Sequence, residues 1–265
     1  MKLHLVFFLV LLFSSTIVAQ DFIFEDLFGS NFSCEYGFRD KFLPEWQKVI
    51  KKNKIKREVY LIYEADKKYN PTSEVKDSVV IEYNNDGLPE LITKYSNPDF
   101  QKTIILEPSY SNGKLTGLTN AVKIFRDSDG KMTGFSNQDG NHYTHSYKGS
   151  NLIAVKDKYY TYKRSGNNFV CKQEYFNDAY NLRAKIELTY DKYGRKISEF
   201  DFDIREKYKY GSNGLISSGE RMRGDYGTSH YFTYKNGLLT LIKFKSFSSF
   251  GNFGGFFIAK VKYYK

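Results

Sequence analysis

The sequence has 265 residues, a formal net charge of +10 and an aromatic content of 18%, which includes 23 tyrosines and 23 phenylalanines. A hydrophobic content of 41% excludes a disordered chain, while 20 glycines, 5 prolines and 2 cysteines exclude a collagen, a proline-rich linker and a dense disulfide scaffold. Because aromatic side chains pack well on a pleated surface, this composition favours β-strands over helices.

The first twenty residues predict a secretory signal peptide. Lys2 supplies a short positive region, Leu5 to Phe13 is an unbroken apolar run, and Ala19 stands at a cleavage position. The run is too short to cross a membrane as a helix, and Cys34 lies too far downstream for a lipoprotein. We expect residues 1–19 to be removed, which leaves a periplasmic, cell-surface or extracellular chain without a transmembrane helix. Removal of Lys2 with this segment lowers the net charge from +10 to +9, which would still attract anionic polymers.

Cys34 and Cys171 are the only cysteines of the sequence. In an oxidising compartment they predict one disulfide, which would tie the N-terminal segment to the middle of the chain. The alternative is a pair of buried thiols that behave as small hydrophobic side chains, and the spacing leaves both alternatives open.

Residues 20–78 are expected to form an N-terminal cap with one short helix and one strand. Pro44 suits the first position of a helix, and the spacing of Trp46 and Ile50 gives that helix one apolar face. A strand is predicted from Glu58 to Tyr63, after a stretch that is rich in lysine.

Beyond residue 78, alternating apolar and polar residues are interrupted by glycine turns. This pattern predicts antiparallel hairpins, with apolar side chains on one face of each strand and polar side chains on the other. Two runs illustrate the expected apolar faces, Ile186 with Leu188 and Tyr190, and Phe200 with Phe202 and Ile204.

A recurring unit accompanies these turns. It consists of an aromatic residue, a short polar turn, a glycine and then an aliphatic residue. The aromatic residue would end one strand, Asn, Asp and Gly would adopt positive φ in the turn, and the aliphatic residue would open the next strand. The clearest instances are Tyr83–Leu88, Tyr110–Leu115, Phe125–Met132, Tyr190–Ile197, Tyr210–Ile216 and Tyr234–Leu239.

The run Tyr190-Asp191-Lys192-Tyr193-Gly194-Arg195 resembles the repeat of YD-repeat, or Rhs-type, proteins, in which Tyr-Asp, two variable residues and Gly-Arg recur. Tyr208-Lys209-Tyr210 is similar to the Tyr-x-Tyr variant of that repeat, and the resemblance covers roughly residues 79–245. It implies extended antiparallel sheets that spiral, and carbohydrate binding. Because the repeats are few and irregularly spaced, we expect a curved open sheet or a short solenoid-like stack of hairpins rather than an enclosing shell.

Lysines flank three tyrosines in Lys158–Lys163 and alternate with tyrosines in Lys207–Tyr210. Aromatic faces stack on sugar rings, so these stretches predict a ligand face, although an aromatic residue in a strand is more often part of the core. The candidate ligand-face residues are Tyr160, Tyr162, Tyr208 and Tyr210.

No motif predicts a catalytic residue, a metal site or a cofactor. His142 and His145 follow a glycine turn, and Asp127 and Asp129 precede another, but both pairs lack the companion ligands of a zinc or calcium site. A carboxylate pair for glycoside hydrolysis would need a cleft, and we interpret the strand carboxylates as a solvated face. These carboxylates are Glu58, Glu82, Glu187, Glu199, Asp201 and Asp203.

The sequence therefore predicts an all-β exported protein with a signal peptide at 1–19, a cap at 20–78 and a hairpin-repeat domain at 79–265. We expect a non-enzymatic binding module for polysaccharide or another component of the cell envelope, and no nucleic-acid partner. The alternatives are an enzyme that degrades an envelope polymer, a protein-interaction or structural module, and an outer-membrane barrel. A carboxylate pair in a deep pocket would favour the enzyme, and a flat aromatic face would favour the binder.

Overall fold

The computed structural model describes residues 41–42, 44–99, 101–118, 122–129, 131–136, 140–148, 151–155, 158–177, 182–191, 195–201, 204–212, 214–248 and 254–265. In these ranges it contains one α-helix, α1 (Pro44–Lys52), and nineteen β-strands that pair antiparallel. The predicted mostly antiparallel β fold with a short N-terminal helix is confirmed. The predicted signal peptide and Cys34 lie outside the described residues. No helix in the described part of the chain is long and apolar enough to span a membrane.

The described residues form two compact units. The middle unit comes from Val122–Lys207, and the two-segment unit combines residues of Phe32–Ala121 with Tyr208–Lys265. The two-segment unit holds α1, β1 (Arg57–Ala65), β2 (Asp77–Tyr83), β3 (Pro89–Ser96), β4 (Gln101–Leu106), β5 (Ser109–Ser111), β6 (Lys114–Leu118), β16 (Ile216–Arg223), β17 (Tyr226–Lys235), β18 (Leu238–Ser248) and β19 (Phe256–Tyr264). The middle unit holds β7 (Val122–Arg126), β8 (Met132–Ser136), β9 (His142–Lys148), β10 (Asn151–Val155), β11 (Lys158–Ser165), β12 (Asn168–Asn177), β13 (Leu182–Tyr190), β14 (Lys196–Phe200) and the first residues of β15 (Ile204–Tyr210).

Strand β1 joins the two segments of the two-segment unit. It pairs with β2, its neighbour along the chain, and also with β19, the last strand. From β2 the pairing continues to β3 and β4, and from β19 it continues to β18, β17 and β16. The strand that the sequence predicts in the N-terminal cap is therefore part of this sheet.

The core of the two-segment unit lies on one face of that sheet. In β1 the buried residues are Glu58, Tyr60 and Ile62, and the residues between them are only partly buried. Helix α1 adds Trp46 and Ile50, which are fully buried as the apolar face of the helix predicts. Full burial of a side chain of this size stabilises the fold by about 2 kcal/mol.

In the middle unit, β13 confirms the alternation that the sequence predicts. Leu188 and Tyr190 are buried, whereas Lys185 and Glu187 are exposed. On the exposed face, Glu187 pairs with a lysine of β12 at 3.2 Å and Lys185 with a glutamate of β12 at 3.0 Å. These cross-strand ion pairs favour the observed register over a one-residue slip.

The prediction that Phe200, Phe202 and Ile204 share the apolar face of one strand is wrong for Phe200, and Phe202 lies outside the described residues. Strand β14 ends at Phe200, and the N–H of Asp201 donates a hydrogen bond to the Ile204 carbonyl at 2.8 Å, which closes a turn. Phe200 is 52% exposed, and the Arg205 guanidinium lies 5.4 Å from the centre of its ring. A short turn that carries aspartates alternates like a strand, and the sequence pattern does not separate the two.

Three turns of the recurring unit share one pattern of hydrogen bonds. Asn84, Asp127 and Asp191 each donate the backbone N–H to the carbonyl four residues ahead at 2.9 Å. In return, the side-chain oxygen of each accepts the N–H of that same later residue at 2.8 to 3.0 Å. At Asp191 the second carboxylate oxygen also accepts the guanidinium of Arg195 at 2.8 and 2.5 Å. These contacts give a physical reason for an aspartate at 191 and an arginine at 195 in this unit.

The variant Gly87→Ala is expected to destabilise the two-segment unit more than Gly113→Ala. Both glycines have positive φ, of 78° and 72°, so both substitutions carry a backbone cost of about 1–2 kcal/mol. A Cβ at Gly87 would also lie 2.7 Å from the Gln47 carbonyl of α1, whereas a Cβ at Gly113 meets open space among the described residues. Denaturant unfolding followed by the fluorescence of Trp46, the only tryptophan, measures both losses. Equal losses would contradict the close packing of this turn on α1.

Candidate functional site

Of the four tyrosines of the predicted ligand face, the structure describes the side chains of two, Tyr208 and Tyr210. Tyr208 is only 6% exposed, and its ring lies over Gly219, where a Cβ would be 3.5 Å from Tyr208 Cδ1. Tyr210 is half-buried. Tyr160 and Tyr162 lie in β11, and their side chains are outside the described part of the structure. Tyr208 therefore belongs to the core and does not present an exposed ring to a ligand.

The two histidines of β9 do not form a joint site. Residues three apart in a strand point to opposite faces, and accordingly His145 is buried while His142 is exposed. His145 Nδ1 lies 3.3 Å from the Tyr147 hydroxyl, and burial lowers the pKa of His145 to about 4. His142 stacks on Phe125 with 5.2 Å between ring centres, at the edge of a shallow hollow. In the described ranges, no three His, Cys, Asp or Glu side chains are placed to hold a metal ion.

Most of the strand carboxylates that we considered form ion pairs, and one is buried. Glu82 and Glu187 pair with basic side chains at 3.3 and 3.2 Å, and Glu199 pairs with the buried Lys196 at 2.6 Å. The solvated-face interpretation is wrong for Glu58, which is 0% exposed. Asp203 lies outside the described residues.

Cys171 is buried in β12, and the predicted disulfide to Cys34 stays a prediction because Cys34 lies outside the described residues.

Glu58 lies at the centre of a buried polar network in the two-segment unit. Its Oε1 accepts the ammonium of Lys41 at 2.8 Å and the Tyr60 hydroxyl at 2.8 Å, and its Oε2 accepts the Tyr83 hydroxyl at 2.5 Å. The hydroxyl of Tyr263 lies 3.1 Å from Oε1 and 2.7 Å from the Leu239 carbonyl. Burial, reinforced by the charge of Glu58, raises the pKa of Tyr60 and Tyr83 well above the usual value, so both remain donors.

Trp46 of α1 completes this network. Its indole N–H donates to the Tyr83 hydroxyl at 3.0 Å, and the Lys41 ammonium lies 3.6 Å from the centre of its ring. The donors around Glu58 fill the positions through which a carboxylate would take a proton from a substrate. We therefore assign the network to the stability of the fold, where it joins α1 to β1, β2 and β19.

The variant Glu58→Gln is expected to destabilise the two-segment unit by about 3–5 kcal/mol, because it leaves the ammonium of Lys41 buried without a counter-charge. The matched control Glu82→Gln breaks the exposed pair with Arg57 and should cost less than about 1 kcal/mol. Lys41→Met combined with Glu58→Gln should recover part of the loss. Urea unfolding followed by circular dichroism measures all three, and equal losses for Glu58→Gln and Glu82→Gln would contradict the assignment.

His230 lies in β17 on the buried face of the same sheet. It is 1% exposed, and neither ring nitrogen has a hydrogen-bond partner among the described residues. Its ring stacks on Phe244 and Phe232, with 5.6 and 6.5 Å between ring centres, and Phe244 stacks in turn on Phe257 at 5.1 Å. Burial lowers the pKa of His230 to about 4, so the ring is neutral at pH 7 and serves as part of the aromatic stack.

The variant His230→Phe is expected to make the protein less sensitive to acid. Folded His230 takes up a proton only near pH 4, whereas an unfolded imidazole does so near pH ~6.5. Between these values the unfolded chain binds more protons, so stability falls as the pH drops through this window, by up to about 3 kcal/mol.

Midpoints of urea unfolding at pH 7.5, 6 and 4.5, read from Trp46 fluorescence, test this dependence. His142→Phe is the control, since His142 is exposed. The same pH dependence in both variants would show that His230 does not cause it.

The opposite face of this sheet carries lysines and aromatic rings. β18 contributes Lys243 and Lys245, β19 contributes Lys260 and Lys262, and the register and alternation place all four on the face away from the core. The first two lysines are half-buried and the last two are exposed.

Aromatic residues lie beside these lysines. Lys260 Nζ lies 5.2 Å from the centre of the Tyr63 ring, and Lys243 Nζ lies 5.3 Å from that of Tyr69. Tyr231 of β17 is directly opposite Lys243 and is 50% exposed. Burial and the neighbouring Tyr231 raise the pKa of Tyr69. We call the four lysines together with Tyr63, Tyr69 and Tyr231 the basic face.

The basic face contains positive charge that no carboxylate of the described chain neutralises. None of its four lysines has an ion-pair partner among the described residues, whereas Arg57 pairs with a glutamate of β2 at 3.3 Å. By register, the acidic positions on this face, Glu82 and Glu220, are two strands away from the nearest lysine, about 10 Å. The sequence alone does not reveal the basic face, because the four lysines come together only when β18 pairs with β19.

Comparisons with known proteins do not assign the chain to a family. No protein-family model matches it, and no curated protein sequence matches it. Among solved structures, kievitone hydratase from Nectria haematococca is similar at 8% sequence identity, over 89% of this chain and 95% of that chain, with a TM-score of 0.19. A TM-score this low carries no argument about fold or function. Because none of these comparisons tests the resemblance to YD-repeat proteins, that resemblance stays a prediction.

Proposed function

We propose that this chain is an exported, non-enzymatic binding module, and that the basic face binds an acidic polysaccharide. The observation that carries the proposal is a set of four lysines on two paired strands, with aromatic rings beside them and no carboxylate partner among the described residues. Acidic groups of a polysaccharide would supply the missing counter-charge, and sugar rings would pack against the tyrosines.

Three further observations support binding rather than catalysis. Glu58 is surrounded by donors, and Glu82 and Glu187 are held in ion pairs. The hollow beside His142 is shallow, and none of the described residues that line it carries a carboxylate. The basic face is a sheet surface, which suits a polymer that lies across it. Export rests on the apolar run and cleavage position at the start of the sequence.

Retention on immobilised polygalacturonate and on neutral dextran tests the proposal. We expect the protein to be retained on the acidic polymer and released by salt, because exposed ion pairs are screened at high ionic strength. A variant in which Lys243, Lys245, Lys260 and Lys262 are all changed to Gln should bind polygalacturonate about tenfold more weakly, or worse.

The control variant removes the same amount of charge elsewhere, by changing the exposed Lys48, Lys52, Lys67 and Lys114 to Gln. Equal losses in the two variants would mean that net charge, not the basic face, drives retention. Tyr231→Ser should weaken binding and Tyr226→Ser should not, since Tyr226 is exposed but points to the other face of β17. Reducing ends released in the same tubes would overturn the non-enzymatic proposal.

A further inference from the structure

We propose that the basic face holds its ligand in one direction, as a linear polyuronate extended along β18 and β19, with successive carboxylates paired to the four lysines in turn. This inference rests on the proposed function and specifies the class of polysaccharide and how it lies. It follows from the register of four strands, β1, β19, β18 and β17, which all belong to the two-segment unit.

Four successive rows across these strands each contain one lysine. The first row has Lys262 opposite Val59, and the second has Lys260 between Leu61 and Leu241. The third and fourth rows also contain one lysine each. The third consists of Tyr63, Ile258, Lys243 and Tyr231, and the fourth of Ala65, Phe256, Lys245 and Ser229.

Successive rows on one face of a strand are two residues apart, which is about 6.7 Å. The four lysines therefore form a nearly straight series of charges about 20 Å long, with one sideways step of about 4.8 Å from β19 to β18. A compact anion would contact one or two of these lysines. A straight polymer with acidic groups along its length can contact all four.

One tyrosine lies on each side of this series of lysines. Tyr63 and Tyr231 stand in the same row, on either side of Lys243 and Ile258, so an aromatic ring flanks the middle of the series on each edge. A sugar chain that runs along β18 and β19 would pass between these two rings, over the side chains that leave Ile258 only 5% exposed and beside Tyr69, whose ring centre lies 5.5 Å from that of Phe256. Carboxylates and sugar rings are both present in a polyuronate, whereas a polyphosphate has no ring to place against the tyrosines.

Fluorescence anisotropy with labelled oligogalacturonates of increasing length tests the arrangement on the full chain. Affinity should rise with length until the oligomer spans about 20 Å, and then level off. Lys243→Gln and Lys260→Gln, in the middle of the series, should weaken both short and long oligomers by about two- to fivefold. Lys262→Gln, at one end, should weaken only oligomers long enough to reach it, and Lys114→Gln serves as the distant control.

The outcomes separate this inference from the proposed function. If polygalacturonate binds but Lys262→Gln behaves like Lys114→Gln at every length, the linear arrangement is wrong while acidic polysaccharide binding stands. A polyphosphate of the same length that binds as tightly, with no effect of Tyr231→Ser, would replace the polyuronate by a polyanion without sugar. No binding of any polygalacturonate would overturn the proposed function, and this inference with it.

Discussion

The buried carboxylate of Glu58 constrains the two-segment unit more than any other single group in the described chain. A charge without access to water is tolerated only when donors surround it, and here the donors come from Lys41, three residues before α1, and from β1, β2 and β19. These elements must therefore be in place together. A slip of β1 by one residue would move Glu58 to the basic face and an apolar side chain into the network, so the carboxylate specifies the register as well as the packing.

The two faces of the sheet in this unit differ in whether their charged groups are paired within the protein. On the inner face, charge is neutralised within the protein, as in the pair of Lys41 with Glu58, and His230 is kept neutral by burial. On the outer face, four lysines have no ion-pair partner among the described residues. The inner face makes the outer one rigid, because the strands that carry the lysines are held in register by buried neighbours. Surface charges at fixed spacing can distinguish a linear polymer with regularly spaced acidic groups from a compact anion.

Local features were predictable from the sequence, and features that depend on distant pairing were not. The Asn-Gly and Asp-containing turns predicted hairpins because their hydrogen bonds close within five residues. Tyr208 could have been assigned to the core from the alternation of Lys207-Tyr208-Lys209, since exposed lysines place the tyrosine between them on the other face. Glu58 could not be placed, because β1 carries apolar residues on both faces. The four lysines form one series only when β18 is paired with β19, and no local pattern specifies that pairing.

The position of β1 between β2 and β19 has a consequence for how the chain reaches its native state. The hydroxyl of Tyr263 meets a carboxylate 205 residues earlier in the sequence, so this unit cannot be completed before β19 has been synthesised. Contacts of such long sequence separation slow folding, because the loop between them must close before they can form. For a protein that crosses a membrane unfolded, as our proposal of export requires, delayed completion is useful. The same strand pairing that stabilises the finished sheet would keep this unit open until β19 has left the ribosome.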